Sequence, residues 1–145
     1  MTLVHAGEAA MVFELHDKSP IPIYEQIVAQ VIFAVAADGI AVGENIPSVR
    51  EMAQRILAHP NTVAKAYQEL ERRGVLSAKR GVGMEVTAEA PKLCRQQRQE
   101  IVRSQVREAL RSAVASALPP DEIRQLVDDE LNHVNGEARH WEKRS

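Results

Sequence analysis

The chain has little of the chemistry on which small enzymes and secreted domains depend. Cys94 is the only cysteine in 145 residues, which excludes an intramolecular disulfide or a zinc cluster of cysteines and favours a reducing, cytoplasmic compartment. The five histidines are scattered without metal-ligand spacing, and no nucleophile motif is present. No apolar run could span a bilayer, and the first ten residues lack the pattern of a secretory signal. We therefore expect no catalytic residue, no metal, no cofactor and no membrane contact.

The length of the chain limits the number of domains, and the distribution of charge indicates the kind of binding partner. A chain of 145 residues has room for one small domain with an appendage, but not for a large effector pocket as well. The formal net charge is -2, yet residues 50–80 hold seven basic and three acidic side chains. Acidic residues gather instead near the C-terminus, at Asp121, Glu122, Asp128, Asp129 and Glu130. This polarity is consistent with one face turned towards nucleic acid and another turned away.

Residues 47–86 predict two helices joined by a tight turn. Ser48 is a good N-cap with Glu51 three residues later, and Val49, Met52, Ala53 and Ile56 recur on one helical face. Pro60 suits the first position of the next helix, whose buried stripe is Val63, Ala66, Tyr67 and Leu70, and Gly74 ends it. Short polar and cationic side chains, at Asn61, Thr62 and Lys65, open this second helix. Such a helix pair can present its second N-terminus to base edges and phosphates.

A basic hairpin is expected after Gly74. The pattern predicts a strand from Ser77 to Arg80, a turn at Gly81-Val82-Gly83 and a return strand from Met84 to Thr87. Lys79 and Arg80 beside Gly81 would form a thin cationic tip able to approach a phosphate backbone or a minor groove. Taken alone, such charges are usually only a solvated surface. Following this helix pair, they predict the wing of a winged helix-turn-helix.

A further helix precedes this region, and two follow it. Ile23, Ile27, Val28, Val31, Ile32 and Val35 form an apolar stripe that begins just after Pro22 and ends near Gly39. Tyr24 is expected to pack beside it. Met11 to Leu15 can form a short extended segment, whereas Met1 to Ala10 shows no pattern, and residues 1–12 are expected to form a flexible tail. The fold class is therefore mainly α with a small β wing, over residues 13–88, followed by a two-helix region at 89–136 and a flexible tail at 137–145.

The two C-terminal helices predict a subunit interface. Each has one apolar face of small residues, which pairing within one chain would cover poorly. We expect a second copy to complete the core through Val102, Val106, Ala109, Leu110, Ala113, Val114, Leu126 and Val127. Packing of these helices on their own winged domain is the alternative. An isologous dimer would place two recognition helices on one face of DNA, which implies a roughly palindromic operator.

Several motifs resemble the GntR family of bacterial transcription regulators. They are PIYEQI at 22–27, GENIPSVRE at 43–51, NTVxxAY at 61–67, LExxG at 70–74 and RGxG at 80–83. The short helical tail resembles the YtrA-type subfamily, in which two helices replace a larger ligand-binding domain. The resemblance implies DNA contacts at Arg50, Asn61, Thr62, Arg80 and Gly81. Members usually have glycine near Leu57, a small cap near His59 and a basic residue at Ala64, so the preferred operator is expected to differ.

Two residues keep more than one interpretation. Arg50 could pair with a guanine edge, clamp a phosphate or form an ion pair with Glu51 or Glu14. His59 could cap the second helix, touch a phosphate or be an ordinary loop histidine. The DNA-binding residues predicted from sequence are therefore Ser48, Arg50, His59, Asn61, Thr62, Lys65, Lys79, Arg80 and Gly81.

Two functions of different classes fit this pattern. The first is a homodimeric, sequence-specific transcriptional regulator, more specifically a repressor, that binds double-stranded operator DNA. The second is a winged-helix module that binds protein and does not read DNA. Neither is an enzyme, and no cluster of polar residues indicates a small-molecule effector. A steep fall in affinity with salt would separate the first from the second.

Overall fold

The computed structural model describes residues 2–6, 9–79 and 83–142. Across these ranges the chain forms five strands and five helices. In order they are β1 Thr2–Ala6, β2 Ala9–Phe13, α1 Ile23–Ala36, β3 Asn45–Ile46, α2 Val49–Ile56, α3 Pro60–Arg72, β4 Leu76–Lys79, β5 Gly83–Val86, α4 Ala90–Ala115 and α5 Pro120–Glu142. The predicted fold class, mainly helical with a small β wing, is confirmed.

Helices α1, α2 and α3 supply most of the core. The predicted stripe of α1 is fully buried except for Ile23, which is half-buried. On α2, Met52, Ala53 and Ile56 are buried, and Val49 packs against them from a half-buried position. All four predicted core residues of α3 are buried. Apolar spacing of three and four residues therefore identified the inward face of each helix correctly.

The wing belongs to a three-stranded antiparallel sheet with the order β3-β5-β4. Leu76 lies opposite Val86 at the base of the hairpin, and Lys79 lies opposite Gly83 near its tip. The predicted return strand and its partner are present. The additional strand β3, which pairs Ile46 with Met84, was not predicted. It joins the hairpin to the segment that leads into α2, so the wing and the helix pair share one scaffold.

The N-terminal region differs from the sequence prediction. Where residues 1–12 were expected to form a tail without regular structure, β1 and β2 pair antiparallel, with Thr2 opposite Phe13. The chain after β2 is held by two glutamines of α1. Gln30 Oε1 accepts from the Glu14 amide at 2.8 Å, and buried Gln26 bonds both the amide and the carbonyl of His16. These side chains satisfy backbone groups that have no strand partner at this point.

The chain divides into two compact units, Met1–Ile101 and Val102–Ser145. The first unit includes the beginning of α4, whose Ala90 and Cys94 are buried in its core, so it extends beyond the predicted boundary at residue 88. Helix α5 continues to Glu142, past the predicted end at 136. In the second unit Ile123 is buried, whereas the other large apolar side chains described there are exposed. None of the helices described has the combination of length and apolar composition needed to cross a membrane.

Candidate nucleic-acid interface

The first turn of α2 is fixed by two hydrogen bonds. Ser48 Oγ accepts from the Glu51 amide at 3.2 Å, so the predicted N-cap is present and the Ser48 hydroxyl serves the helix. Just before it, the buried Tyr67 hydroxyl of α3 donates to the Pro47 carbonyl at 2.6 Å. Burial raises the pKa of Tyr67, so the phenol remains a donor. Together these bonds set the position from which Arg50 extends.

Arg50 is exposed, and no ion pair or hydrogen bond to its side chain is present in the described ranges. The two carboxylates considered as partners have other neighbours. Glu51 lies 4.0 Å from Arg55, one turn later on α2, and Glu14 lies 3.7 Å from His16. The guanidinium is therefore available for an external anion or a base edge.

The N-terminus of α3 is capped by histidine. His59 Nδ1 accepts a hydrogen bond from the backbone N–H of Asn61 at 3.0 Å, which is the cap role considered from the sequence. Asn61 is exposed, whereas Thr62 is half-buried and lines a groove with Phe13 and Ile23. Asn61 thus faces outward more freely than Thr62.

Lys65 is held by an aromatic ring from another helix. Its Nζ lies 4.0 Å from the centroid of the Tyr24 ring, at the start of α1. The Tyr24 hydroxyl donates to Glu25 Oε1 at 3.1 Å, and this bond raises the pKa of the phenol. The cation–π contact orients the ammonium while leaving the side chain exposed. Tyr24 was predicted as a packing residue, and its ring also supports a predicted DNA-binding lysine.

The outer face of α3 also contains Gln68, which was not predicted from the sequence as a DNA contact. Asn61, Lys65, Gln68 and Arg72 are all exposed and recur at helical spacing along one stripe. The Gln68 amide has no hydrogen-bond partner within the described ranges and offers both a donor and an acceptor. The same three- and four-residue spacing that revealed the buried stripe could have identified it.

The C-terminal end of α3 carries a network of charges. Glu69 bonds Arg72 and also accepts from Arg73 Nε at 2.9 Å. These two arginines lower the pKa of Glu69 to about 2. Arg73 Nη1 continues to Gln97 Oε1 of α4 at 3.2 Å. Arg72 is thus paired on its own helix, whereas Arg73 connects two helices.

On the wing, the predicted DNA contact Lys79 forms an ion pair with Glu85. Lys79 Nζ lies 3.1 Å from Glu85 Oε2 on the adjacent strand, which offsets its charge. Arg80 and Gly81, the other two predicted contacts of the wing, lie outside the described residues. The described chain also contains no group of three or more His, Cys, Asp or Glu residues that could hold a metal ion.

The predicted dimerisation residues lie in the second unit. Seven of the eight are exposed there, and Ala113 is half-buried. The exposed large side chains are Val102, Val106, Leu110, Val114, Leu126 and Val127, joined by Leu118, Leu131 and Val134, which are not among the predicted dimerisation residues. The face is therefore apolar and uncovered within its own unit.

Three packed helices, with the second and third joined by a tight turn and followed by a β hairpin, define a winged helix-turn-helix, a DNA-binding fold. The model of the family "Bacterial regulatory proteins, gntR family" matches residues 23–86. This match covers the helix-turn-helix domain, which is therefore a GntR-family domain, as its motifs predicted. The chain is also similar to proteins named YtrA.

One such relative is the HTH-type transcriptional repressor YtrA of Bacillus subtilis (strain 168). It is 43% identical over 77 residues, which cover 53% of this chain and 59% of the relative. The chain thus spans less than two thirds of that relative's length.

Two solved structures extend the comparison. A transcriptional antiterminator from Listeria monocytogenes EGD-e is 37% identical with a TM-score of 0.60, and the match covers 82% of this chain and 89% of that one. YtrA from Sulfolobus acidocaldarius, a GntR-family transcription factor, is 27% identical with a TM-score of 0.52, covering 72% and 98%.

Proposed function

We propose that this chain is a homodimeric, sequence-specific transcriptional repressor that reads a palindromic operator with α3 and the wing. The observation that carries the proposal is the free polar surface at the two helix starts. Arg50 is unpaired within the described ranges, and exposed Asn61 stands at the capped start of α3. A guanidinium and an amide are the side chains suited to guanine and adenine edges in the major groove.

The apolar face of the second unit supports a dimer. Its large apolar side chains, Val102, Val106, Leu110 and Leu126 among them, are exposed, and continuous apolar surface of this kind usually marks an interface. A second copy of the same face would cover it by isologous packing. Two winged domains would then address two half-sites, which makes an inverted repeat the natural operator.

Repression requires only that the dimer binds DNA, whereas activation would require an additional surface that contacts polymerase. A dimer bound across a promoter blocks polymerase without any activating surface. The B. subtilis relative, with which the chain shares 43% identity over 77 residues, is named a repressor. We further propose supporting contacts with the DNA backbone or bases for Ser48, Thr62, Lys65, Lys79, Arg80 and Gly81.

The test is selection of bound sequences from a random duplex pool by the purified full chain, followed by titration of the selected site at several salt concentrations. We expect an inverted repeat and a steep linear fall of log K with log salt, because bound cations release counterions from DNA. Retention without a motif would contradict sequence-specific reading. Salt-independent association with a protein would favour the interaction module.

A further inference from the structure

The three-stranded sheet of the wing has one face turned away from the core. Side chains alternate between the two faces of a strand. Leu76, Val86 and Ile46 are buried, so their face of the sheet packs on the core. The side chains of the opposite face are those of Asn45, Ser77, Lys79 and Glu85. Lys79 and Glu85 therefore share the outward face.

Lys79 pairs with Glu85 because its direct neighbour has no side chain. Lys79 is the last residue of β4 and lies opposite Gly83. On this face of β5 the next side chain is that of Glu85, which is diagonal to Lys79 and within reach of a long side chain. Lys79 Nζ lies 3.1 Å from Glu85 Oε2. The Glu85 side chain is 27% exposed and that of Lys79 58%, so the lysine is the partner that can turn away into solvent.

Two other cations predicted to contact DNA, Arg50 and Lys65, are not paired with a carboxylate in the described part of the chain. Arg50 is exposed without an ion pair there. Lys65 Nζ lies 4.0 Å from the centroid of the Tyr24 ring, which is an uncharged partner. Both side chains therefore keep their positive charge uncompensated. Lys79 differs from them, because it and Glu85 together carry no net charge.

Glu85 and a DNA phosphate are rivals for the same ammonium group. The ammonium has three N–H donors and could bind both anions at once. A phosphate oxygen bonded to Lys79 Nζ would then lie within about 6 Å of Glu85 Oε2, and the two anions would repel each other. If Lys79 instead turns to the phosphate, the ion pair is lost. In either case Glu85 reduces the gain from the Lys79 contact.

We propose that Glu85 competes with DNA phosphate for Lys79 and thereby limits what the wing adds to DNA affinity. The inference rests on the proposed function, in which Lys79 contacts DNA. It adds that this contact requires the loss or weakening of an ion pair within the chain. Glu85 acts through Lys79 and reads no base.

The experiment is a double-mutant cycle on the full-length chain. Glu85→Gln keeps the size of the side chain and removes its charge, and Lys79→Gln removes the cation. Glu71→Gln is the matched control, because Glu71 is exposed on α3 of the same winged domain and has no cation bonded to it within the described ranges. Affinities for the selected operator and for a random duplex of equal length are measured at several salt concentrations.

Releasing Lys79 should strengthen DNA binding. Glu85→Gln should bind both duplexes about two- to fivefold more tightly, as expected for the loss of an exposed ion pair. Its log K should fall more steeply with log salt, by up to about 0.9, because the freed ammonium neutralises a phosphate more completely. In the Lys79→Gln background, Glu85→Gln should gain no more than Glu71→Gln does. Such a coupling between the two positions is what the cycle isolates.

The outcomes separate the inference from the proposed function. If wild type binds neither duplex, the function fails and the inference fails with it. If wild type binds both duplexes equally, sequence-specific reading fails, and the affinities for the random duplex still decide the inference. If the gain from Glu85→Gln is the same with and without Lys79, only the inference is overturned, since the carboxylate then repels DNA directly. An unchanged or weaker affinity of Glu85→Gln also overturns it.

Discussion

The Arg50 guanidinium has no partner within the described residues and is available to an external anion or base. It is exposed in the first turn of α2, which the Ser48 cap and the Tyr67 hydroxyl hold in place. Glu51 turns towards Arg55, and Glu14 towards His16. Because surface ion pairs contribute little, even an ion pair with one of these carboxylates would not explain the position of Arg50.

Replacing Arg50 with alanine distinguishes its two possible DNA contacts. If the guanidinium reads a base, operator affinity should fall by about 1–3 kcal/mol and specificity at one position should relax. If it holds a phosphate, binding to all sequences should weaken and the salt slope should decrease by about 1. Arg50→Lys keeps the charge but not the bidentate geometry, so it should rescue only the phosphate role. Unchanged binding by Arg50→Ala would remove the residue from the interface.

Glu69 gives the protein a predictable response to acid. Its hydrogen bonds from Arg72 and Arg73 lower its pKa from 4.5 to about 2 in the folded chain. A carboxyl with a depressed folded pKa stabilises the fold above its unfolded pKa, and this contribution disappears as pH falls through the folded value. We therefore expect Glu69→Gln to melt below wild type at neutral pH, with the difference shrinking between pH 4.5 and about 2. A difference independent of pH would contradict this assignment.

At the scale of elements, the turn between α2 and α3 contains an unfavourable residue. Leu57 has a φ of 55° and is 93% exposed. A side chain with a Cβ costs roughly 1–2 kcal/mol in this left-handed conformation, and helices commonly end there with glycine. The sequence comparison with the family had already marked Leu57 as a departure from glycine.

Leu57→Gly should therefore stabilise the protein. The gain in the free energy of unfolding should be about 1 kcal/mol, after part of the relieved strain is offset by the greater freedom of glycine in the unfolded chain. Leu57→Ala is the control, because it removes the exposed side chain but keeps the Cβ. Denaturant unfolding of the three proteins gives the comparison. Equal stabilisation by alanine would attribute the effect to the lost side chain and not to the backbone.

The elements predicted from sequence were those with local signals. Ser48, Pro60 and Gly74 mark helix boundaries by their own backbone chemistry, so α2 and α3 could be predicted with nearly their observed bounds. Strand β3 has only two residues, too few to show a period, and its formation depends on pairing with β5. The hairpin of β1 and β2 was not predicted either, because its five-residue strands show no strong pattern and it forms by pairing.

Contacts between distant residues could not be predicted. Lys65 and Tyr24 are 41 positions apart in sequence, and the short polar pattern of α3 gave no reason to place an aromatic ring beneath the lysine. The link from Arg73 to Gln97 is equally remote from any motif. Sequence thus identified Lys65 as a candidate DNA contact, whereas the group that orients it required the packed structure.

At the scale of the whole molecule, the two units differ in how they bury apolar surface. The first has a continuous core of helix and strand residues, which is what an independently folded domain needs. The second buries Ile123 but leaves Val106, Leu110 and Leu126 exposed. The proposed dimer would supply the apolar burial that this unit lacks by itself.

Charge placed on that face should dissociate the proposed dimer. In the double variant Val106→Glu with Leu110→Glu, two carboxylates would have to be desolvated or face their symmetry mates, so we expect a monomer in sedimentation velocity. Operator affinity should fall about a hundredfold or more, because the second half-site contact would no longer be intramolecular. Ser104→Glu adds charge on the opposite side of α4 and should leave both properties unchanged. The winged domain has its own core, so its binding to a single half-site should survive in the double variant. A double variant that remains dimeric would show that another surface joins the subunits.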